Sequence, residues 1–294
     1  MRKTSPKKYI TCGIVPVEHL FGDNGNLLTI LEEKLILDAV ITMTPPPDLS
    51  IIIPAYNEES RLPRTLTRVR DYFAGKNVSP GRLEILIVDD GSTDNTLRVA
   101  EEWAREMSSV RVISNGDNRG KGFSVRHGIL EARGRIALFT DADLSSPIEE
   151  SEKLFAAIEA GNEVAIGSRA LDRSLITMHQ SGLREVAGMI FNGFVRLSTG
   201  LAFRDTQCGF KAFVREPSQI VFEQQRIERF GFDPEILFLA KRHGLRTAEV
   251  AVRWAHDPAT KVNMIRDSLL MFFDLARIRW NGLLGRYPKR SQPK

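Results

Sequence analysis

The sequence lacks any apolar stretch long enough to span a membrane. Crossing a bilayer as a helix takes roughly 18 or more consecutive apolar residues, and no run in the 294 residues reaches that length. The first 47 residues also lack the clean apolar core of a secretory signal. We therefore expect a cytosolic chain without a membrane span.

Cysteine and net charge are also scarce. The two cysteines, Cys12 and Cys208, form no metal-binding or disulfide pattern, which fits a reducing compartment. The 41 basic and 37 acidic residues leave a net charge of only +4, so the chain has no overall footprint of a nucleic-acid-binding protein. Hydrophobic residues make up 42% of the chain, enough for a packed core.

Short apolar runs alternate with helix-like segments from residue 48 onward, and residues 48–114 follow a β-α-β-α-β order. This alternation predicts an α/β fold with a mainly parallel sheet flanked by helices. The predicted strands include residues 49–53, 83–88, 135–140 and 163–167, and the predicted helices include residues 122–133 and 149–160.

Acidic clusters follow three of these strands. Asp141 and Asp143 come directly after one apolar run, Asp89 follows another, and Glu58 lies after the first. The carboxyl ends of parallel strands meet at one edge of a sheet, where α/β proteins bind ligands. Carboxylate oxygens suit Mg²⁺ or Mn²⁺, which usually accompany a phosphorylated substrate. A Rossmann dehydrogenase is excluded because no Gly-x-Gly-x-x-Gly follows the first strand.

The order and spacing of these segments resemble the serial motifs of family-2 glycosyltransferases with the GT-A fold. The shared motifs are residues 54–59 (PAYNEE), 88–94 (VDDGSTD), 118–122 (NRGKG) and 141–143 (DAD). Later segments are similar to dolichyl-phosphate β-glucosyltransferases and their prokaryotic polyprenyl-phosphate relatives. These segments are residues 167–169 (GSR), 205–211 (DTQCGFK), 232–235 (FDPE) and 252–254 (VRW). The resemblance runs from about residue 49 to residue 284.

The resemblance implies an inverting, metal-dependent hexosyltransferase that uses UDP-glucose and a dolichyl or polyprenyl phosphate. Asp143 is the first choice for a direct ligand of Mg²⁺ or Mn²⁺, and Asp141 is expected either to ligate the same ion or to face the ribose or sugar. Relatives that make mannosyl phosphates carry glutamine where this chain has Ser145, which weakens one expected ligand. We expect Asp90 to be structural. The residues assigned to donor binding are Pro54, Tyr56, Glu58, Asp89, Lys121 and Asp141, and those assigned to catalysis are Asp143, Asp205 and Arg169.

A phosphate acceptor would explain why no histidine base is evident. A phosphate monoester has a second pKa near ~6 and is largely dianionic at pH 7, so it needs positioning by cations and no deprotonation. Arg169, Arg184 and Lys211 are the candidates for that contact. The alternatives are a soluble family-2 enzyme with a small hydroxyl or glycan acceptor, a GDP-mannose donor, or a non-catalytic nucleotide-sugar-binding protein.

The sequence predicts three regions. Residues 1–47 form an extension of unknown role that ends in three prolines, and a start at Met43 or a regulatory arm both stay open. Residues 48–262 form the GT-A domain, and residues 263–294 form an amphipathic helix and a basic tail. The oligomeric state is open.

An apolar stripe marks the helix predicted at residues 182–200. Ordinary core packing is the default interpretation of such a stripe, but the resemblance favours a membrane-interface helix. For residues 263–285 both stay open. We expect the protein to lie peripherally on the cytoplasmic face of the cell membrane. The stripe residues are Leu183, Val186, Ala187, Ile190, Phe194 and Leu197 in the first helix, and Ile265, Leu269, Phe272, Phe273, Ala276, Trp280 and Leu284 in the second.

Overall fold

A seven-stranded sheet with helices packed on it makes up most of the described chain. The computed structural model describes residues 46–76, 78, 80–178, 182–257 and 264–288. The strands are β1 (Leu49–Ala55), β2 (Leu83–Asp89), β3 (Val110–Ser114), β4 (Ile136–Thr140), β5 (Val164–Ser168), β6 (Ile176–Met178), β7 (Phe210–Val214), β8 (Thr247–Ala251) and β9 (Trp254–Ala255). The helices are α1 (Leu62–Gly75), α2 (Thr96–Glu106), α3 (Lys121–Glu131), α4 (Ser151–Glu159), α5 (Gly182–Thr199), α6 (Arg215–Gln224), α7 (Phe232–Arg242) and α8 (Met264–Leu283).

The strand order is β3-β2-β1-β4-β7-β5-β8, and a separate pair is formed by β6 and β9. All neighbours in the large sheet are parallel except β7, which is antiparallel to both β4 and β5. The prediction of a mainly parallel α/β sheet is therefore confirmed. The sequence did not predict the strand β7.

Two apolar layers cover the faces of the sheet. Because side chains alternate along a strand, Ile52 of β1 faces one layer while Ile51 and Ile53 face the other. The first layer includes residues of α3, α6 and α7, and the second includes residues of α1 and α4. The strands are buried on both sides, which explains why they read as continuous apolar runs rather than alternating ones.

The predicted segments are all present with small shifts. The helix predicted at residues 149–160 starts with a 3₁₀ turn, Ile148–Glu150, before α4 begins at Ser151. The predicted helices at 182–200 and 263–285 correspond to α5 and α8. The extension up to residue 45 and the predicted boundary at residue 262 lie outside the described residues.

Candidate active site

The two acids of the DAD motif lie directly after β4. Lys121 Nζ is 2.5 Å from Asp141 Oδ1, and the Ser145 amide donates to Asp143 Oδ1 at 2.8 Å. Burial and the charge of Asp141 raise the pKa of Asp143 above its usual range. The Asp143 carboxylate is therefore held in a place where its own charge is costly, and a cation would relieve that cost.

A divalent ion fits this pair as far as the chain supplies ligands. The described residues contain no group of three side chains suited to a metal ion, so the chain offers Asp141 and Asp143. Magnesium-type sites commonly use one or two carboxylates and complete the coordination with substrate phosphates and water. The absence of a side chain at Gly209 leaves room for the Asp141 carboxylate, since a Cβ there would lie 2.1 Å from Asp141 Oδ2.

The loops after β1 and β2 are tied to each other. The Thr93 amide donates to Asn57 Oδ1 at 2.8 Å, and the Glu58 amide donates to Thr96 Oγ1 at 2.7 Å. Asn57 adopts a left-handed φ of 54°, which asparagine tolerates better than most residues. These bonds bring two of the predicted donor-binding segments to the same sheet edge.

The predicted donor residues have different surroundings. Glu58 pairs with Arg61 at 3.1 Å, and the Ser92 amide donates to the buried Asp89 carboxylate. Pro54 lies in β1 beside Val88 of β2, and Tyr56, the first residue after β1, is 37% exposed. The structure places these side chains at the sheet edge without assigning them a ligand.

Asp90 has a structural position, as expected. Its carboxylate accepts from the amides of Arg119 at 3.0 Å and Gly120 at 2.8 Å. It also accepts from Asn115 Nδ2 at 2.8 Å. Asp90 therefore fixes the turn that precedes α3, the helix that begins at Lys121.

Arg169 and Asp205 form a bidentate ion pair. Arg169 Nε donates to Asp205 Oδ2 at 2.6 Å, a second guanidinium nitrogen donates to Oδ1 at 2.9 Å, and the Arg169 amide donates to Oδ2 at 3.0 Å. Burial acts to raise the pKa of Asp205, but the charge and hydrogen bonds of Arg169 outweigh it and lower the pKa to about 2. The guanidinium also lies 5.3 Å from the centre of the Trp254 ring. Asp205 thus orients Arg169.

Lys211 does not reach the cleft surface. Its side chain is fully buried, and Nζ donates to Asp233 Oδ1 at 2.5 Å and to the Cys208 carbonyl at 2.6 Å. The expected contact of Lys211 with an acceptor phosphate does not fit this position, because β7 is covered on both faces. Of the other acceptor candidates, Arg169 borders the cleft, and the side chain of Arg184 lies outside the described part of the structure.

Cys208, which could be mistaken for a nucleophile, is buried. Burial raises the pKa of its thiol to about 11, so it is a thiol at neutral pH. The side chain therefore packs in the core.

One cleft connects these elements. It has a volume of about 380 Å³ and is lined by the DAD acids, by Arg169 and by residues of the helices α5 and α8. Three of its wall residues, Arg204, Asp233 and Trp254, were not predicted as site residues. Asp233 and Trp254 stand in motifs that the sequence shows, whereas Arg204 directly precedes the 205–211 motif without belonging to it.

The outer faces of α5 and α8 are apolar and exposed. Phe191 and Val195 pack inward from α5, while Ile190 and Leu197 are 54% and 84% exposed. Phe272 of α8 contacts both Phe191 and Phe194, so the two helices meet. We call the exposed set the α5–α8 surface; it comprises Val186, Met189, Ile190, Phe194, Leu197, Leu269, Leu270, Phe273, Trp280, Leu283 and Leu284.

The default interpretation was that both stripes pack in the core. It is wrong for the stripe residues whose side chains are described, because these side chains are exposed; the exception is Phe272, which is half-buried. The inward residues of α8 are Leu275 and Ile278, which lie off the predicted stripe. None of the helices in the described segments is both long and apolar enough to cross a membrane.

Comparisons with known proteins agree with this geometry. A family model described as glycosyl transferase family 2 matches residues 50–217. The dolichyl-phosphate beta-glucosyltransferase of Homo sapiens is 35% identical over 288 residues, which cover 94% of this chain and 88% of the relative. The protein of the same name in Dictyostelium discoideum is 34% identical and covers 92% of this chain and 83% of its own length.

Solved structures share the fold. Glucosyl-3-phosphoglycerate synthase from Mycobacterium tuberculosis, solved with Mn²⁺, UDP and glucosyl-3-phosphoglycerate, aligns with a TM-score of 0.55 at 18% identity. That alignment covers 92% of this chain and 88% of the synthase. A mannosyltransferase from Pyrobaculum calidifontis, solved with GDP-Man and Mn²⁺, aligns with a TM-score of 0.52 at 18% identity, covering 84% of this chain and 71% of the other. At these identities the similarity shows the GT-A fold alone.

Proposed function

The chain belongs to glycosyl transferase family 2, and from that premise we propose that it transfers glucose from UDP-glucose to a dolichyl or polyprenyl phosphate with inversion at the sugar. One observation carries the proposal: Asp141, Asp143 and Arg169 line the same cleft as Met189, a residue of the α5–α8 surface. The names of the relatives that cover most of the chain support the same acceptor and sugar.

Asp141 and Asp143 would hold Mg²⁺ or Mn²⁺. When bound there, the ion would supply Lewis-acid stabilisation of the diphosphate leaving group. Lys121 adds a cation to the same place, because the charges of Asp141 and Asp233 outweigh burial and raise the pKa of its ammonium. We propose that Lys121, which pairs with Asp141 in this structure, contacts the phosphates of the donor. Pro54, Tyr56, Glu58 and Asp89 would line the part of the site that binds the nucleoside.

Arg169 would position the acceptor phosphate. Asp205 fixes two of its guanidinium nitrogens, which leaves the opposite side of the fork for an anion in the cleft. The exposed Arg204 borders the same cleft and adds positive charge there. Since a phosphate dianion is already a competent nucleophile at neutral pH, the chain has to orient it and exclude water rather than remove a proton.

The α5–α8 surface would place the cleft at a lipid bilayer. Amphipathic helices bind an interface through buried apolar area together with attraction of basic groups to anionic lipid. The exposed Arg196, Arg277 and Arg279 on the same helices provide the basic groups. We therefore propose peripheral attachment at the cytoplasmic face, with the phosphate of the lipid acceptor entering the cleft beside α5.

A donor and acceptor screen tests the proposal. The full chain is incubated with UDP-glucose, UDP-N-acetylglucosamine or GDP-mannose, each with Mg²⁺, Mn²⁺ or EDTA, and with dolichyl phosphate in vesicles or a water-soluble acceptor. We expect a β-linked glucosyl lipid from UDP-glucose alone and none with EDTA. Equal transfer to soluble hydroxyl acceptors, or a preference for GDP-mannose, would overturn the assignment.

A further inference from the structure

A fully buried carboxylate, Glu235, lies outside the cleft and has no role in the proposed reaction. It accepts hydrogen bonds from the Ile227 amide at 2.8 Å, from the Arg226 amide at 3.0 and 3.1 Å, and from Tyr287 Oη at 2.6 Å. Both Glu235 and Tyr287 are fully buried. Burying a carboxylate costs free energy unless hydrogen-bond donors surround it. These bonds therefore hold residues 226–227 and Tyr287, in the segment after α8, to the same side chain.

The segment held by Glu235 also grips the start of α3. Gln225 Nε2 donates to the Gly122 carbonyl at 2.8 Å, and the Phe123 amide donates to the Glu228 carbonyl at 2.9 Å. Neither glycine beside Lys121 has space for a side chain. A Cβ at Gly120 would lie 2.7 Å from the Glu228 carbonyl oxygen, and one at Gly122 would lie 2.8 Å from that of Ile227.

Lys121 therefore stands between two glycines that press against a segment anchored by Glu235. Its ammonium group reaches Asp141 at 2.5 Å from that fixed backbone. A small displacement of residues 226–228 would move the backbone of α3 at its first turn, and with it the point from which the Lys121 side chain extends.

We propose that Tyr287 and Glu235 are positioning residues for donor binding: their hydrogen bond fixes residues 225–229, which in turn hold Lys121 at the donor phosphates. This inference rests on the proposed function for the role of Lys121. It gives the segment after α8 a part in nucleotide binding, although that segment lies outside the cleft.

The segment after α8, at Tyr287 and Pro288, is anchored at other points too, and these provide a matched control. Gln224 Nε2 donates to the Pro288 carbonyl at 2.8 Å, and Arg242 Nε donates to the Tyr287 carbonyl at 2.8 Å. Neither bond involves the Glu235 carboxylate or the Lys121 turn. A variant at Gln224 removes a contact of Pro288 but keeps the hydrogen bond between Tyr287 and Glu235.

The experiment compares five variants of the full chain: Tyr287→Phe, Glu235→Gln, the double variant of these two, Gln224→Ala and Leu154→Ala. Leu154→Ala leaves a cavity beside α4, which packs on β5 and β7. It serves as the control for a general loss of stability. The Kd for UDP with Mn²⁺ is measured by calorimetry well below each melting temperature. Hydrogen exchange is followed at the amides of residues 120–123.

We expect Tyr287→Phe and Glu235→Gln to weaken UDP binding by about 10-fold and to speed exchange at residues 120–123 by a similar factor, the typical effect of losing one hydrogen bond to a charged group. The double variant should be less than additive, because both changes break the same contact. Gln224→Ala and Leu154→Ala should leave both quantities within about 2-fold of the wild type, whatever their melting temperatures.

Unchanged exchange at residues 120–123 in Tyr287→Phe would overturn the inference, and so would equal weakening by Leu154→Ala. If the wild type binds no UDP, the proposed donor is wrong, and the exchange measurement still decides whether Tyr287 holds the Lys121 turn. The two failures are therefore distinguishable.

Discussion

Replacement of Asp205 by asparagine tests the arrangement of the Arg169 ion pair. The change keeps the shape of the side chain and removes the charge that two guanidinium nitrogens of Arg169 now contact. Arg169 would keep at most one good acceptor at this position. We expect the guanidinium to lose its fixed orientation in the cleft, so that the KM for the lipid acceptor rises while UDP binding changes little.

The structure sets the size of the loss in stability. Lowering the pKa of Asp205 from 3.8 to about 2 corresponds to about 2 kcal/mol of stabilisation at neutral pH. Breaking a buried ion pair costs roughly 3–5 kcal/mol, but the Arg169 side chain is 28% exposed. We therefore expect the Asp205→Asn variant to lose about 2–3 kcal/mol at pH 7.

The free energy of unfolding should depend on pH in a direction that a general loss of stability would not produce. Because the pKa in the folded state lies below the unfolded one, the stabilisation is complete above about pH 5 and is lost as the pH falls towards 2. Between pH 5 and pH 3 the wild type should lose about 1 kcal/mol more than Asp205→Asn. As a control, Glu163→Gln removes a pair with the 67% exposed Arg246 side chain, and should cost less than about 1 kcal/mol.

Urea unfolding at pH 7, 5 and 3, followed by circular dichroism, measures these differences, and initial rates with dolichyl phosphate measure the KM. Parallel pH profiles for the wild type and Asp205→Asn would refute the assigned electrostatics. An unchanged acceptor KM in a folded variant would refute the role of Arg169.

Three further changes address other parts of the site. Asp143→Asn should reduce transfer with Mg²⁺ or Mn²⁺ by at least about 100-fold while the circular dichroism spectrum stays the same, since one anionic ligand is lost; near-normal rates would contradict the role. Gly209→Ala should weaken UDP–Mn²⁺ binding measured by calorimetry, because its Cβ would collide with the Asp141 carboxylate; binding equal to the wild type would count against Asp141. Leu197→Asp, at an 84% exposed position, should keep UDP binding but reduce sedimentation with anionic vesicles and transfer to lipid; unchanged sedimentation would exclude α5 from the interface.

The sequence predicted the strand ends well because the signals there are local. Asp141 and Asp89 follow apolar runs directly, and parallel pairing brings the ends of such runs to one edge. Asp90 was expected to have a structural role, and its carboxylate accepts from the amides of Arg119 and Gly120. Short-range patterns were sufficient for the strand ends, whereas the distant partners of Asp90 could not be identified from its neighbours in sequence.

Lys211 and Arg204 show where such patterns fail. Lys211 lies in a motif with Asp205, but whether its side chain meets the cleft depends on β7 being inserted between β4 and β5. That insertion is a long-range event that no nearby residue indicates. Arg204 directly precedes the 205–211 motif, but that position alone does not show that its side chain borders the cleft.

The helix α5 shows a different limit. Its sequence is apolar on two adjacent faces, and Ile190 and Phe191 are only one residue, or about 100° of helix rotation, apart. Periodicity finds the residues that share a face, but it does not decide which of two apolar faces meets the protein. The structure places Phe191 inward and Ile190 outward.

The mixture of groups that lines the cleft matches an amphiphilic acceptor. A lipid phosphate carries a dianion at one end and a long apolar chain behind it. The cleft is lined by the Asp141 and Asp143 acids with Lys121, by Arg169, and by residues of α5 and α8, among which Met189 belongs to the α5–α8 surface. A small polar acceptor would use the cations but would leave the apolar rim unexplained, and exposed apolar area of this kind is costly unless something covers it. This match is the physical reason for favouring a lipid phosphate over a soluble hydroxyl acceptor.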